Sequence, residues 1–227
     1  MLKFIYKRKF YRNFFVRKFI RVSRKLSEIP DYFKDKKICG CSLVKYVPSL
    51  YRETMGATGS QSTCYWVLDE MFKDAQFNES DRFIDVGCGK GRVLAFMIKQ
   101  KYPCSITGIE LNKDVADFTK NWASKYENIE VINGNAFKLD FDNYDVLFLG
   151  RPFEKEFFIK FTDKIETDVR HSLKLYYWVD QQSGDHLNER PGWNMQKRKS
   201  LFVRHGLFLS MSPQRYSIWT YTPENER

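Results

Sequence analysis

The chain has 227 residues, of which 43% are hydrophobic and 17% aromatic, and it carries a formal net charge of +10. This length and apolar content support one sizeable packed domain with an appendage and exclude a disordered chain. No apolar run approaches the roughly 18 residues of a spanning helix, no uninterrupted apolar centre marks a secretory leader, and five cysteines without paired spacing beside three scattered histidines exclude a recognisable zinc site.

The charge is concentrated at one end. Residues 1–27 hold ten basic side chains and no acidic one, a count equal to the whole net charge, so the remainder is balanced. Phe4, Tyr11, Phe15, Phe19, Val22 and Leu26 recur at steps of three, four and seven and share a helical face. Lys7, Arg17, Lys18, Arg21, Arg24 and Lys25 lie mostly opposite, while Arg8 and Arg12 intrude on the apolar side. The spacing predicts a basic amphipathic helix over 1–27. Rings in the acyl boundary and cations near headgroups suit an anionic membrane surface. Packing on the domain or a partner subunit is the second reading, and an RNA-binding arm, with bases stacked on its rings, is the third. The expected location is cytoplasmic, peripheral on the inner face of the membrane, with cysteines reduced.

Residues 28–60 read as a connector punctuated by Pro30, Gly40, Pro48, Gly56 and Gly59, and 61–227 as the main domain. A helix is predicted over 62–76. Short apolar strands follow at 82–86, 105–110, 129–132, 144–149 and 173–179, with helices at 90–101, 112–126 and 154–169. Such alternation predicts a parallel sheet covered on both faces. Residues 181–199 are polar and irregular. Strands at 200–205 and 215–222 follow with no helix between them, as an antiparallel pair at the C-terminal edge.

The stretch Phe83-Ile-Asp-Val-Gly-Cys-Gly-Lys-Gly-Arg-Val93 closes the first strand and opens a helix. Gly87, Gly89 and Gly91 there allow positive backbone angles and remove side chains that would block a ligand. The spacing is neither the dinucleotide fingerprint nor a Walker loop. Glu110 ends the second strand, 25 positions after Asp85, where an acid can accept from both hydroxyls of a ribose. Asn133-Gly-Asn135-Ala136-Phe137 follows the third strand, placed to meet an adenine edge, and Gly150-Arg151-Pro152-Phe153 follows the fourth. Four consecutive strand ends with polar or glycine features mark the crevice where open parallel sheets bind ligands.

Over about residues 50–222 this set resembles the class I S-adenosylmethionine-dependent methyltransferases. The loop from Asp85 to Gly91 is similar to the family's cofactor loop, Glu110 to its ribose acid, and Gly134-Asn135-Ala136 to its Gly-Asp-Ala segment, with asparagine where an acid is common. The glycine loop and a preceding Tyr/Thr-rich segment also resemble a bacterial branch related to the non-SET histone lysine methyltransferases, in which Tyr51, Thr54 and Thr58 fall on a cofactor-covering segment.

The resemblance implies a Rossmann-like α/β fold, a seven-stranded, mostly parallel sheet whose last strand is antiparallel between its neighbours. It implies S-adenosylmethionine as cofactor, held by Tyr51, Thr58, Asp85, Gly87, Gly89, Gly91, Glu110, Asn112, Asn135, Ala136 and Gly150, and no metal. Transfer is expected near Arg151, Pro152 and Phe153, with Asp180, His186 and His205 as candidate bases. Many nitrogen methyltransferases carry an asparagine or aspartate before the proline of that segment. Arg151 here offers only donors and a fixed positive charge, so it cannot accept from an amine and suits an anionic group instead. The expected acceptor is a small molecule, a saccharide or lipid-linked compound. Protein lysine or RNA, with the basic arm as a docking element, and an inactive cofactor-binding module are the alternatives.

Overall fold

The computed structural model describes residues 14–224; the expected positions Phe4, Lys7, Arg8, Tyr11 and Arg12 lie outside them. Helix α1 spans Phe14–Cys39, and α2 is a single turn at Arg52–Met55. Then come α3 (Tyr65–Met71), β1 (Arg82–Val86), α4 (Arg92–Gln100), β2 (Ser105–Glu110), α5 (Lys113–Ala123) and β3 (Ile129–Asn133). They are followed by β4 (Val146–Leu149), α6 (Lys155–Asp168), β5 (Leu173–Trp178), β6 (Trp193–Leu201), β7 (Val203–Arg204), β8 (Leu207–Phe208) and β9 (Gln214–Tyr221).

The main sheet has the order β3-β2-β1-β4-β5-β9-β6. The first five are parallel, and β9 runs antiparallel to both β5 and β6. Strand order reverses between β1 and β4, which opens a crevice beyond their carboxyl ends. Side chains alternate across the sheet as a period of two requires. Phe83, Ile106, Phe148 and Tyr176 pack with α3 and α4 on one face, where Phe72 stacks on Tyr176 at 4.3 Å. Ile84, Val86, Leu147, Leu149, Leu175 and Tyr177 pack with α6 on the other. The five cysteines are free thiols, and no candidate metal cluster occurs among the described residues.

Two elements depart from expectation. The first helix does not stop at 27 but continues through Pro30 to Cys39, into the expected connector. Proline removes one helical hydrogen bond, but α1 is fastened on both sides of it. Before Pro30, the Ser23 hydroxyl accepts from the Phe208 N–H (2.8 Å), and the Ser27 hydroxyl donates to the Phe208 carbonyl (3.2 Å). After it, Asp31 and Asp35 are buried against Arg92.

The second departure is β6. Within the stretch expected to be irregular it begins at Trp193. It is an edge strand with a register shift between Met195 and Lys197, and its side chains at 194–196 are exposed. An edge strand wetted on both faces shows no apolar alternation. The strand expected at 200–205 is divided between the end of β6 and the β7–β8 ribbon, whose turn is His205-Gly206 with φ of 48° and 78°. Positive φ at both central residues suits a tight hairpin.

Candidate cofactor and transfer site

A cleft of about 860 Å³, counting its open mouth, lies at the switch point. β1 delivers Asp85, β2 delivers Glu110, and the turns after β3 and β4 deliver Asn135, Ala136, Gly150, Pro152 and Phe153. Residues 55–63 cover it. Their backbone forms an antiparallel latch with the post-β4 turn: the Thr58 N–H donates to the Pro152 carbonyl (2.9 Å), the Thr58 hydroxyl to the Arg151 carbonyl (2.7 Å), and the Glu154 N–H to the Gly56 carbonyl (2.8 Å).

The glycine loop is a bare surface rather than a cradle of free donors. The Gly87 and Cys88 N–H groups both reach the Ile109 carbonyl at 2.9 Å, and the Gly89 N–H donates to Glu110 Oε2 at 3.0 Å. The hydroxyl of Thr119 and the indole of Trp122 hold the Gly89 and Lys90 carbonyls. At Gly87, φ is 74° and a Cβ would come within 2.6 Å of Pro152 Cβ; at Gly89 it would strike the Ser60 hydroxyl at 2.2 Å. Only glycine allows loop, cover and post-β4 turn to close this tightly.

Glu110 is pinned with its carboxylate in the cleft. Oε1 accepts from the Asn112 N–H (2.8 Å) and Oε2 from Gly89, which leaves lone pairs for two hydroxyls. Burial raises its pKa, and those two N–H groups pull it partly back. Asp85 is 2% exposed and has no hydrogen-bond partner among the described residues. Burial, then the Glu110 charge, pushes its carboxyl well above the ordinary range. Two carboxyl groups with no cation bonded to them, beside a loop whose Gly87, Cys88 and Gly89 N–H groups are spent, offer a pyrophosphate no donors. They suit a ligand that brings a positive charge and vicinal hydroxyls. The residues therefore fit S-adenosylmethionine, whose cationic amino-acid end Asp85 would meet and whose ribose Glu110 would hold.

The expected residues do not all meet. Thr58, Asp85, Gly87, Gly89, Glu110, Asn135, Ala136, Gly150, Pro152 and Phe153 line the cleft together. Tyr51 and Asn112 line a smaller side cleft that shares Thr58, Ser60 and Glu110 with it. Asn112 is also the cap of α5, its Oδ1 accepting from the Asp114 and Val115 N–H groups. Asn135 Oδ1 accepts from the Phe137 N–H (3.0 Å), and its Nδ2 faces the Met55 sulfur.

Gly91 does not line the cleft. It begins α4 at φ 81°, and a Cβ there would strike Trp122 and Thr119 of α5, so its role is packing. Asp180 is not at the rim either. It is fully buried, with Arg198 at 3.2 Å and Arg215 bonded to it, so it offers no free base to the cleft. His205 sits in the β7–β8 turn, His186 in a turn before β6, and His171 beside Asp142 and Asp145; none lines the cleft. Arg151, at φ 56°, stands in the post-β4 turn without lining the cleft, and it makes no ion pair among the described residues. The nearby acid Glu154 is taken by Arg52.

Sequence reasoning missed the hydroxyl- and amide-bearing run Ser60, Gln61, Ser62 and Thr63, which also lines the cleft, and the lining residue Arg92. Arg92 is 4% exposed and bonds Asp35 at 2.7 and 3.1 Å, with Asp31 at 3.5 Å. An acid pair four residues apart in a basic helix, and an arginine following three glycines, were the signals available.

Comparison with known proteins agrees with this geometry. Residues 83–160 match a family model described as a methyltransferase domain. An (S)-tetrahydroprotoberberine N-methyltransferase of Eschscholzia californica is 27% identical over 48% of this chain and 36% of its own length. An rRNA adenine N-6-methyltransferase of Limosilactobacillus reuteri is 31% identical over 33% of this chain and 30% of its own. The chain thus spans about a third of the length of these relatives. Among solved structures, an RNA methyltransferase from Salinibacter ruber in complex with S-adenosyl-L-homocysteine superposes with a TM-score of 0.53 at 18% identity, covering 72% of this chain and 94% of that one. A methyltransferase from Pyrococcus furiosus does so with a TM-score of 0.55 at 14% identity, over 88% and 99%. Loop, strand order, unpartnered carboxyl and family match point one way: residues 83–160 match a methyltransferase domain, the fold is that of the class I S-adenosylmethionine-dependent methyltransferases, and S-adenosylmethionine is the cofactor that the cleft fits.

Proposed function

We propose that the protein transfers the methyl group of S-adenosylmethionine to a hydroxyl of a small acceptor, a saccharide or a lipid-linked compound. The observation that carries the transfer itself is Asp85, a buried carboxyl with no protein partner beside Glu110 at the switch point. When bound, the cofactor supplies an electrophilic methyl on a positively charged sulfur. The chain's contribution would be to hold the cofactor in the cleft, exclude water with residues 55–63, and align the acceptor at the post-β4 turn.

The acceptor class rests on the same turn. An amine would be gripped by carbonyl oxygens there, but those of Arg151 and Pro152 already accept from Thr58. Arg151 adds a positive charge that an ammonium would avoid. Ser60, Gln61, Ser62 and Thr63 offer the polar wall a hydroxylated acceptor needs. No histidine among the described residues lines the cleft. Water at the open mouth would therefore be the base that takes the acceptor hydroxyl's proton.

A nitrogen acceptor, on RNA or an amine, is the second reading, favoured by the names of the relatives. Incubation with methyl-labelled S-adenosylmethionine and separate glycolipid, RNA and protein fractions of a cell extract tests both. Label in the glycolipid or free-saccharide fraction is expected. Label confined to RNA or protein overturns the acceptor, and no S-adenosylhomocysteine with any fraction leaves a binding module.

A further inference from the structure

Helix α1 is fastened to the domain along one side only. Ile20 packs with Phe202 and Phe208, Ser23 and Ser27 bond Phe208, and Asp31 and Asp35 bond Arg92. On the opposite side Val22, Leu26, Ile29 and Phe33 recur at alternating steps of four and three, and each is between 48% and 65% exposed, while Phe19 flanks them with its ring edge against Phe208 (6.0 Å). Val22 to Phe33 form one stripe of about 17 Å at the helical rise. The acidic residues of the helix all serve the inner side: Asp31 and Asp35 are buried, and Glu28 pairs with Arg24 at 3.5 Å. The cations Arg17, Lys18, Arg21, Lys25, Lys36 and Lys37 are exposed and make no ion pair among the described residues.

We propose that this outer face of α1 is a docking surface for an anionic lipid bilayer, on which the helix lies in the interface plane. The face offers only apolar side chains and positive charge, the complement of an acyl boundary under anionic headgroups. Two copies packed stripe to stripe would bring cationic rows together with no acid to relieve them. A nucleic acid would use the cations but gain nothing from Val22, Leu26 and Ile29, which present no ring for a base. No described helix is long and apolar enough to cross a membrane.

The proposal holds whatever the cleft methylates. Its test is co-sedimentation of the full chain with phosphatidylcholine vesicles, with and without about 30% phosphatidylglycerol. Two double variants on exposed positions, Leu26→Ser with Ile29→Ser and Lys18→Glu with Lys25→Glu, are compared, with thermal melts as the folding control. The native chain is expected to bind the anionic vesicles and to be released in part by salt. The apolar variant should lose binding to both vesicle types, and the charge-reversed one should need about tenfold more anionic lipid or worse. A native chain that stays in the supernatant with anionic vesicles overturns the proposal. So does binding unchanged in both variants. Self-association lost in the apolar variant without vesicle binding assigns the face to a second copy, and RNA retention lost only on charge reversal, again without vesicle binding, assigns it to nucleic acid.

Discussion

Replacing Arg92 with methionine tests how the first helix is joined to the cofactor loop. Arg92 follows the last loop glycine, is buried, and neutralises two buried carboxylates of α1, which in turn accept from the Leu43 and Tyr65 N–H groups. Removing one partner of a buried ion pair costs about 3–5 kcal/mol, because the stranded charge remains. In a chain of this size each kcal/mol moves the melting temperature by about 2–4 °C, so a fall of about 6–20 °C is expected.

The deficit must also depend on pH. Burial raises the Asp31 pKa above 3.8 and Arg92 opposes that rise, so the variant's Asp31 should titrate higher still. A group whose folded pKa is raised keeps its stabilising contribution below its unfolded value and loses it as pH climbs toward the folded one. The variant should therefore lie closest to the native protein in mild acid and fall away as pH rises past 3.8 toward the raised value. Differential scanning calorimetry of both proteins at several pH values reads this directly. A deficit below about 1 kcal/mol near neutrality, or one of constant size across the range, would refute the reasoning.

Other perturbations separate binding from stability. Asp85→Asn should weaken S-adenosylmethionine binding about ten- to a hundredfold by calorimetry. It should also raise the melting temperature of the unliganded protein at neutral pH, because the carboxylate it replaces is destabilising there. In the native chain a cationic ligand should lower the raised Asp85 pKa, so binding should release protons and tighten as pH rises, measurable in buffers of different ionisation enthalpy. Gly87→Ala should abolish cofactor binding, since both the φ of 74° and the 2.6 Å approach to Pro152 oppose it; a crystal structure with an undisturbed loop would contradict this. Asp180→Asn should lower stability by loosening Arg198 and Arg215, yet leave cofactor affinity unchanged.

The parallel half of the fold was legible because β1, β2, β4 and β5 are buried and read as apolar runs, and because glycines mark the turn where α4 begins. Glu110 and Asn135 were legible for a related reason: a polar residue at the carboxyl end of an apolar strand has little structural motive. Gly91 and Asp180 were misread as site residues because strand-end position predicts proximity to the crevice but not side-chain direction. Whether Asp180 faces substrate or is clamped by Arg198 and Arg215 depends on β6 and β9, partners far along the chain. The continuation of α1 through Pro30 was hidden for the same reason. Local propensity disfavours it, and contacts far along the chain, with Phe208, Arg92 and Tyr126, sustain it.

The place of β9 has a consequence for how the nascent chain matures. It leaves the ribosome after every other described strand of the sheet, yet it occupies an interior lane, bonded on one flank to β5 and on the other to β6. Until it arrives, β5 is a raw edge open to foreign strands and β6 has no neighbour to dock on. Excising 214–221 would thus cost the sheet two strands rather than one.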